Sequence, residues 1–178
     1  QAPFDREVKR VVVIGSGGAG KTTFAKRLGN AAGLPVIHLD SVFWKPNWQR
    51  TPENEWKKTI TELVSRESWI MDGNFGGTRP ERIKAADTVI FLDMPRSTCI
   101  FRVIKRYLTY RGGNRPDMAQ GCSEQIDLKF LLWIWSFPKH SRPRIAAEMK
   151  PYPEKRFVIL RTGREADDFI RNTANALK

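Results

Sequence analysis

The chain is poor in the residues that build secreted frameworks. Its 178 residues hold two cysteines, Cys99 and Cys122. That is too few for a disulfide framework, and their spacing is not that of a metal site, so both are expected to pack and a reducing cytoplasm is the expected compartment. Long apolar runs are missing too. The longest unbroken one, Phe130 to Trp135, falls far short of the ~20 residues that span a bilayer, so no membrane is expected as a partner. Gln1 to Arg10 contains no apolar signal region. There is no internal repeat, low-complexity tract or linker, and the expectation is one domain over residues 1–178. A hydrophobic content of 40% supports an ordinary packed core.

Acidic residues are in deficit. Lys and Arg number 31 against 19 Asp and Glu, a net charge of +12, which suits either a nucleic-acid binder or a pocket for small polyphosphates. The basic residues form no long run. Arg102, Arg106, Arg111, Arg115, Arg142 and Arg144 gather in the second half, an arrangement that fits arginines closing over a triphosphate at least as well as a groove tracking DNA. DNA stays open as a partner on charge alone.

What is present in full is a phosphate loop. Val11-Val12-Val13-Ile14 reads as a buried strand, and Gly15-Ser16-Gly17-Gly18-Ala19-Gly20-Lys21-Thr22 follows it and opens a helix. The string fills the G-x-x-x-x-G-K-[ST] template. Almost side-chain-free, the loop can turn successive N–H groups inward around phosphate oxygens, and the helix N-terminus adds its partial positive charge. Lys21 is expected to reach the β- and γ-phosphates of ATP, Thr22 to ligate Mg²⁺, and Thr23 to complete the nucleotide contacts.

A helix from about Gly20 to Ala32 ends at Gly33, and Leu34 to Leu39 reads as a second strand with Asp40 at its end. In open parallel sheets ligands bind beyond the carboxyl ends of strands, which puts Asp40 beside the loop; a cap or turn role is the other reading. Ser41 to Arg50, with Phe43, Trp44 and Trp48, is too irregular for a strand and reads as a flap over substrate, spanning about 41–66 with the helix that starts after Thr51-Pro52-Glu53. The tryptophans equally suit packing of that helix on the sheet. Ser68 to Met71 is a third strand that delivers Asp72, a metal candidate, to the same edge. Arg79 and Arg82 suit either an anionic acceptor or an exposed helix start.

Thr88 to Leu92 is the fourth strand. On the helix after Pro95, Cys99, Ile100, Val103, Ile104 and Tyr107 are expected inward and Arg102 and Arg106 on another face, where a phosphate or water would suit them. A lid-like segment is expected over about 107–148, with a loop carrying Arg111 and Arg115. Ser123 is the expected cap of an apolar helix around Trp133, which is buried or in a contact that allows a homodimer. Pro138 and Pro143 are expected to separate it from a further helix, and His140 reads as incidental. Phe157 to Leu160 is the fifth strand, followed by a turn at Arg161 where an adenine ring would rest.

Val13-Ile14-Gly15-Ser16-Gly17-Gly18, His38-Leu39-Asp40, Phe43-Trp44-Lys45-Pro46, Met71-Asp72-Gly73-Asn74, Tyr110-Arg111-Gly112 with Arg115-Pro116-Asp117-Met118-Ala119, and Trp133 to Pro138 resemble the bacterial DNA topology modulation proteins, relatives of adenylate kinase. The layout as a whole resembles small-molecule kinases. The resemblance implies an α/β P-loop fold of three layers, a five-stranded parallel sheet in order 2-3-1-4-5, and ATP binding with an acceptor unspecified. Adenylate kinases carry Asp-Gly-x-Pro-Arg after the third strand, whereas this chain has Asp72-Gly73-Asn74-Phe75-Gly76, so a phosphate acceptor gripped there is not expected. Asp40 resembles the acid that orients a hydroxyl in gluconate, shikimate and polynucleotide kinases. Phosphoryl transfer is the expected activity, with Lys21, Asp40, Arg102 and Arg106 in catalytic roles; an ATP-binding regulator of DNA is the alternative.

Overall fold

Val11, Val12, Val13 and Ile14 have no exposed surface, as a central parallel strand covered on both faces requires. The structure, a computed structural model, describes residues 8–111, 113, 121–122 and 126–177. This strand, β1 (Arg10–Gly15), is followed by α1 (Lys21–Ala32), β2 (Val36–His38) and α2 (Leu39–Phe43). A small antiparallel hairpin, β3 (Trp44–Lys45) and β4 (Gln49–Arg50), leads to α3 (Glu53–Val64), β5 (Trp69–Asp72) and α4 (Arg79–Ala85). Then come β6 (Thr88–Leu92), α5 (Arg96–Tyr110), α6 (Leu128–Met149), β7 (Arg156–Leu160) and α7 (Gly163–Ala176). The main sheet runs β2-β5-β1-β6-β7 with every pair parallel. With the hairpin set aside, that is the expected order 2-3-1-4-5.

Alternation along β1 sorts the core into two layers. Val11 and Val13 pack with Phe24 and Leu28 of α1, Cys99 and Val103 of α5, and Phe169 of α7. Val12 and Ile14 pack on the other side with Trp56 and Ile60 of α3, Ile83 of α4, and Phe137, Ile145 and Met149 of α6. Ile134 of α6 belongs to the first layer, so α6 passes from one face of the sheet to the other.

Several expectations are corrected. Strand β2 starts at Val36 and ends at His38, and Leu39 already begins α2. The stretch expected to be irregular before α3 is a helical turn and a hairpin. Pro138 and Pro143 do not separate two helices: α6 continues through both, because Ile134, Phe137, Ile145 and Met149 anchor it on either side and tertiary packing overrides the break. Ile104, expected inward, is 39% exposed. Asp127 caps α6 by accepting from the Lys129 N–H, while the expected cap at Ser123 and the loop around Arg115 lie outside the described residues.

Arg79 and Arg82 are neither exposed nor aimed at an acceptor. Both are buried, and Arg79 Nη2 donates to Glu148 Oε1 at 2.8 Å, joining α4 to α6. Arg82 donates to the carbonyls of Gly73, Asn74 and Phe75 at 3.0, 2.6 and 3.2 Å. Burial, then the neighbouring Arg79, lower its pKa to about 9, against the pull of Glu148, Asp72 and Glu81. The clamped loop has Gly73 at φ 142 and Phe75 at φ 30, a backbone that needs such external support. Arg82→Met, which leaves those carbonyls unpaired, is expected to lower stability by about 3 kcal/mol, read from urea unfolding of both proteins.

Candidate active site

The phosphate loop is bare because other backbone and side chains lie against it. A Cβ at Gly18 would fall 2.2 Å from the Cys99 carbonyl oxygen of α5, and one at Gly17 would fall 2.5 Å from the Phe130 ring of α6. Gly18 and Gly20 sit at φ 77 and 90, the left-handed region that glycine adopts without strain. Asn74 Oδ1 accepts from the Gly15 N–H at 3.2 Å, tying the loop to the segment that Arg82 clamps. Lys21 Nζ donates to the carbonyls of Gly15 and Ser16 at 3.1 and 3.0 Å. Burial draws the Lys21 pKa below the ordinary lysine value, against the pull of Asp40 and Asp72.

Asp72 is the meeting point of three segments. Its Oδ2 accepts from the Thr22 hydroxyl at 3.0 Å, and its Oδ1 lies 2.6 Å from His38 Nδ1. The parallel register sets His38 opposite Asp72. Sequence reasoning passed over His38, whose role shows only once β2 is known to pair with β5; its position at a strand end on the ligand edge was the available signal. With its proton given to Asp72, the Thr22 oxygen keeps its lone pairs for a cation. This donor set fits Mg²⁺, which takes one or two protein oxygens and completes its shell with phosphates and water. Thr22 would hold the ion with Asp72 behind it.

These residues open into a cavity of about 970 Å³. Gly17, Gly18, Gly20, Lys21, Thr22 and Thr23 line it, and Asp40, in the first turn of α2, lines it too. Gly15, Ser16 and Ala19 form the loop behind, Ser16 and Ala19 almost fully buried. Lys26, Arg50, Arg102 and Arg106 add positive charge to the wall, and Trp44, Trp48, Phe75, Tyr110, Phe130 and Trp133 add aromatic surface. Arg102 Nη1 donates to the Ala19 carbonyl at 3.3 Å. Arg161 is exposed and outside the lining, and its backbone N–H is held by Glu165 Oε2 at 2.7 Å. Arg142 is committed to Asp93 at 2.8 Å and Arg144 to Glu148 at 3.3 Å. Sequence reasoning also missed Arg50 and Lys26, which share no motif with the loop.

No protein-family model matches the chain, and no curated protein matches it. Solved structures do. Shikimate kinase from Acinetobacter baumannii, in complex with shikimate, is similar with a TM-score of 0.62 at 18% identity, over 97% of this chain and 94% of that one. A gluconokinase from Sinorhizobium meliloti 1021 gives 0.54 at 18% identity, over 97% and 93%. A putative kinase from Chloroflexus aurantiacus gives 0.56 at 17% identity, over 97% and 100%. The chain shares the fold of these solved structures, α/β with a five-stranded parallel sheet between helices. Among the described residues no helix is long and apolar enough to cross a membrane.

Because Lys21 is depressed below 10.5, a bound triphosphate should raise it again. At alkaline pH below 10.5 nucleotide binding is therefore expected to take up a proton. Calorimetry in buffers of differing ionisation heat should detect this uptake, and Lys21→Met should abolish it.

Proposed function

We propose that the protein transfers the γ-phosphoryl group of ATP, with Mg²⁺, to a hydroxyl of a small molecule. The observation that carries this reading is Asp40: it lines the same cavity as Lys21 and Thr22, on the side of the sheet that β2 borders. Loop amides and Lys21 hold the triphosphate. Thr22, with Asp72 behind it, would hold Mg²⁺, which would supply charge neutralisation on the phosphates. Arg102 and Arg106 face the charge that develops on the transferred group.

Asp40 orients the acceptor hydroxyl and takes its proton as the oxygen bonds to the γ-phosphorus and the bond to the β-phosphate oxygen breaks, releasing ADP. The domain is read as one unit over residues 1–178 that works in the cytoplasm, with 41–66 covering the acceptor and 107–148 covering the nucleotide. Among the described residues, the strings that resemble the DNA topology modulation proteins each include one that lines the cavity, such as Gly17, Asp40, Trp44, Asn74, Tyr110 and Trp133. That distribution supports a shared pocket over a DNA groove as the reason for the resemblance.

Incubation with labelled ATP and Mg²⁺ against sugars, hydroxy acids, nucleosides, nucleotides and DNA ends tests the reading, with label expected on a hydroxyl. Asp40→Asn is expected to lower turnover about 10²-fold or more while ATP still binds. Turnover that survives this substitution intact would exclude the hydroxyl mechanism.

A further inference from the structure

The hairpin after α2 holds a conformation that its residues do not favour. Asn47 and Trp48 have φ 60 and 57, and the Gln49 N–H donates to the Pro46 carbonyl. Two central residues with positive φ between antiparallel strands make a turn of the primed kind, whose usual pair is Asn-Gly. Asn47 fits. A bulky tryptophan at the second position is strained, and strain of this sort is retained where the side chain serves a site. Here the Trp48 ring meets Trp44 edge to face at 5.3 Å and 73°. The Arg50 guanidinium lies 5.9 Å from the Trp44 ring centroid. All three line the cavity together with Asp40. They are not core packing, for none of them is buried.

Topology sets this aromatic wall apart from the β7 edge of the sheet, the side on which the sequence leads one to expect the nucleotide's own base. Arg102, hydrogen-bonded to the phosphate loop, lies 3.9 Å from where a Cβ of Gly163 would stand, toward the β7 edge of the sheet. The hairpin follows α2 at the β2 edge. Hydroxy acids and simple sugars offer such a wall no flat π-face, whereas nucleobases stack on indole rings whatever their hydrogen-bonding pattern. We propose that the acceptor is a nucleoside, its base held against Trp44 and Trp48 and its sugar hydroxyl presented to Asp40. This inference rests on the kinase reading above.

The test compares wild type with Trp48→Gly, which supplies the residue the turn prefers and so keeps the hairpin folded; an unchanged or higher unfolding midpoint verifies this. With nucleosides as acceptors the variant is expected to raise the acceptor KM about tenfold or more, the equivalent of one lost stacking contact, with the KM for ATP unchanged. Transfer to ring-free sugars or hydroxy acids at equal or better kcat/KM, or an unaltered nucleoside KM in Trp48→Gly, would overturn the acceptor assignment and leave the kinase reading standing. Preference for a 5′-hydroxyl oligodeoxynucleotide over free nucleosides would overturn it as well, in favour of a nucleic-acid end. If nothing is phosphorylated, the kinase reading fails, and calorimetry with nucleosides alone decides the site. Heat seen with wild type and lost in Trp48→Gly supports the aromatic wall, and no heat with wild type removes it.

Discussion

The closeness with which α5 and α6 approach the loop between β1 and α1 governs the carboxyl edge of the sheet. The Cys99 carbonyl occupies the space a side chain at Gly18 would need, and the Phe130 ring does the same at Gly17. The loop is therefore shaped by its neighbours before any ligand arrives. Under the proposed function its N–H groups would need little reorganisation to meet phosphate, the condition under which backbone dipoles are most effective. The same contacts explain why α6 must pass over this edge: one helix supplies Phe130 and Ile134 to the loop side and Phe137 to Met149 to the opposite layer.

The excess of positive charge divides into two uses that composition cannot separate. Lys21, Lys26, Arg50, Arg102 and Arg106 line the cavity. Arg79 and Arg82, by contrast, are struts, spending their donors on Glu148 and on the carbonyls after β5. Through that clamp Arg82 reaches the site indirectly, because the segment it fixes contains Asn74, which accepts from the first N–H of the phosphate loop. A guanidinium serves here where an ammonium would not, since its donors fan out to several acceptors at once.

What could be read in advance followed from local rules. The apolar run Val11 to Ile14, the loop template, Gly33 as a left-handed cap at φ 68 and the strand Thr88 to Leu92 each carry their signal within a few residues. Asp40 and Asp72 were legible because strand ends point to the ligand edge. His38 was not, because its partner is 34 residues away and the pairing of β2 with β5 sets their contact. The burial of Arg79 and Arg82 was equally hidden: charge at a helix start looks the same whether it faces water or a neighbouring helix. Pro138 and Pro143 misled for the opposite reason, since a local rule for breaking helices lost to apolar anchors on either side.

The hairpin shows how far such non-local support extends. Its Asn47 N–H donates to the Gly121 carbonyl at 3.1 Å, and Cys122 Sγ lies 3.3 Å from the Lys45 carbonyl. Next to it, Thr51 returns the chain to Phe43 through both its N–H and its hydroxyl, at 3.1 and 2.6 Å. A turn with tryptophan in the place of glycine persists because bonds on each side over-determine its backbone. Those bonds also join the hairpin, which borders the β2 side of the cavity, to the segment between α5 and α6. Displacing the hairpin costs its hydrogen bonds to Gly121 and Cys122, so the wall beside Asp40 is held from far along the chain as well as by its own strands.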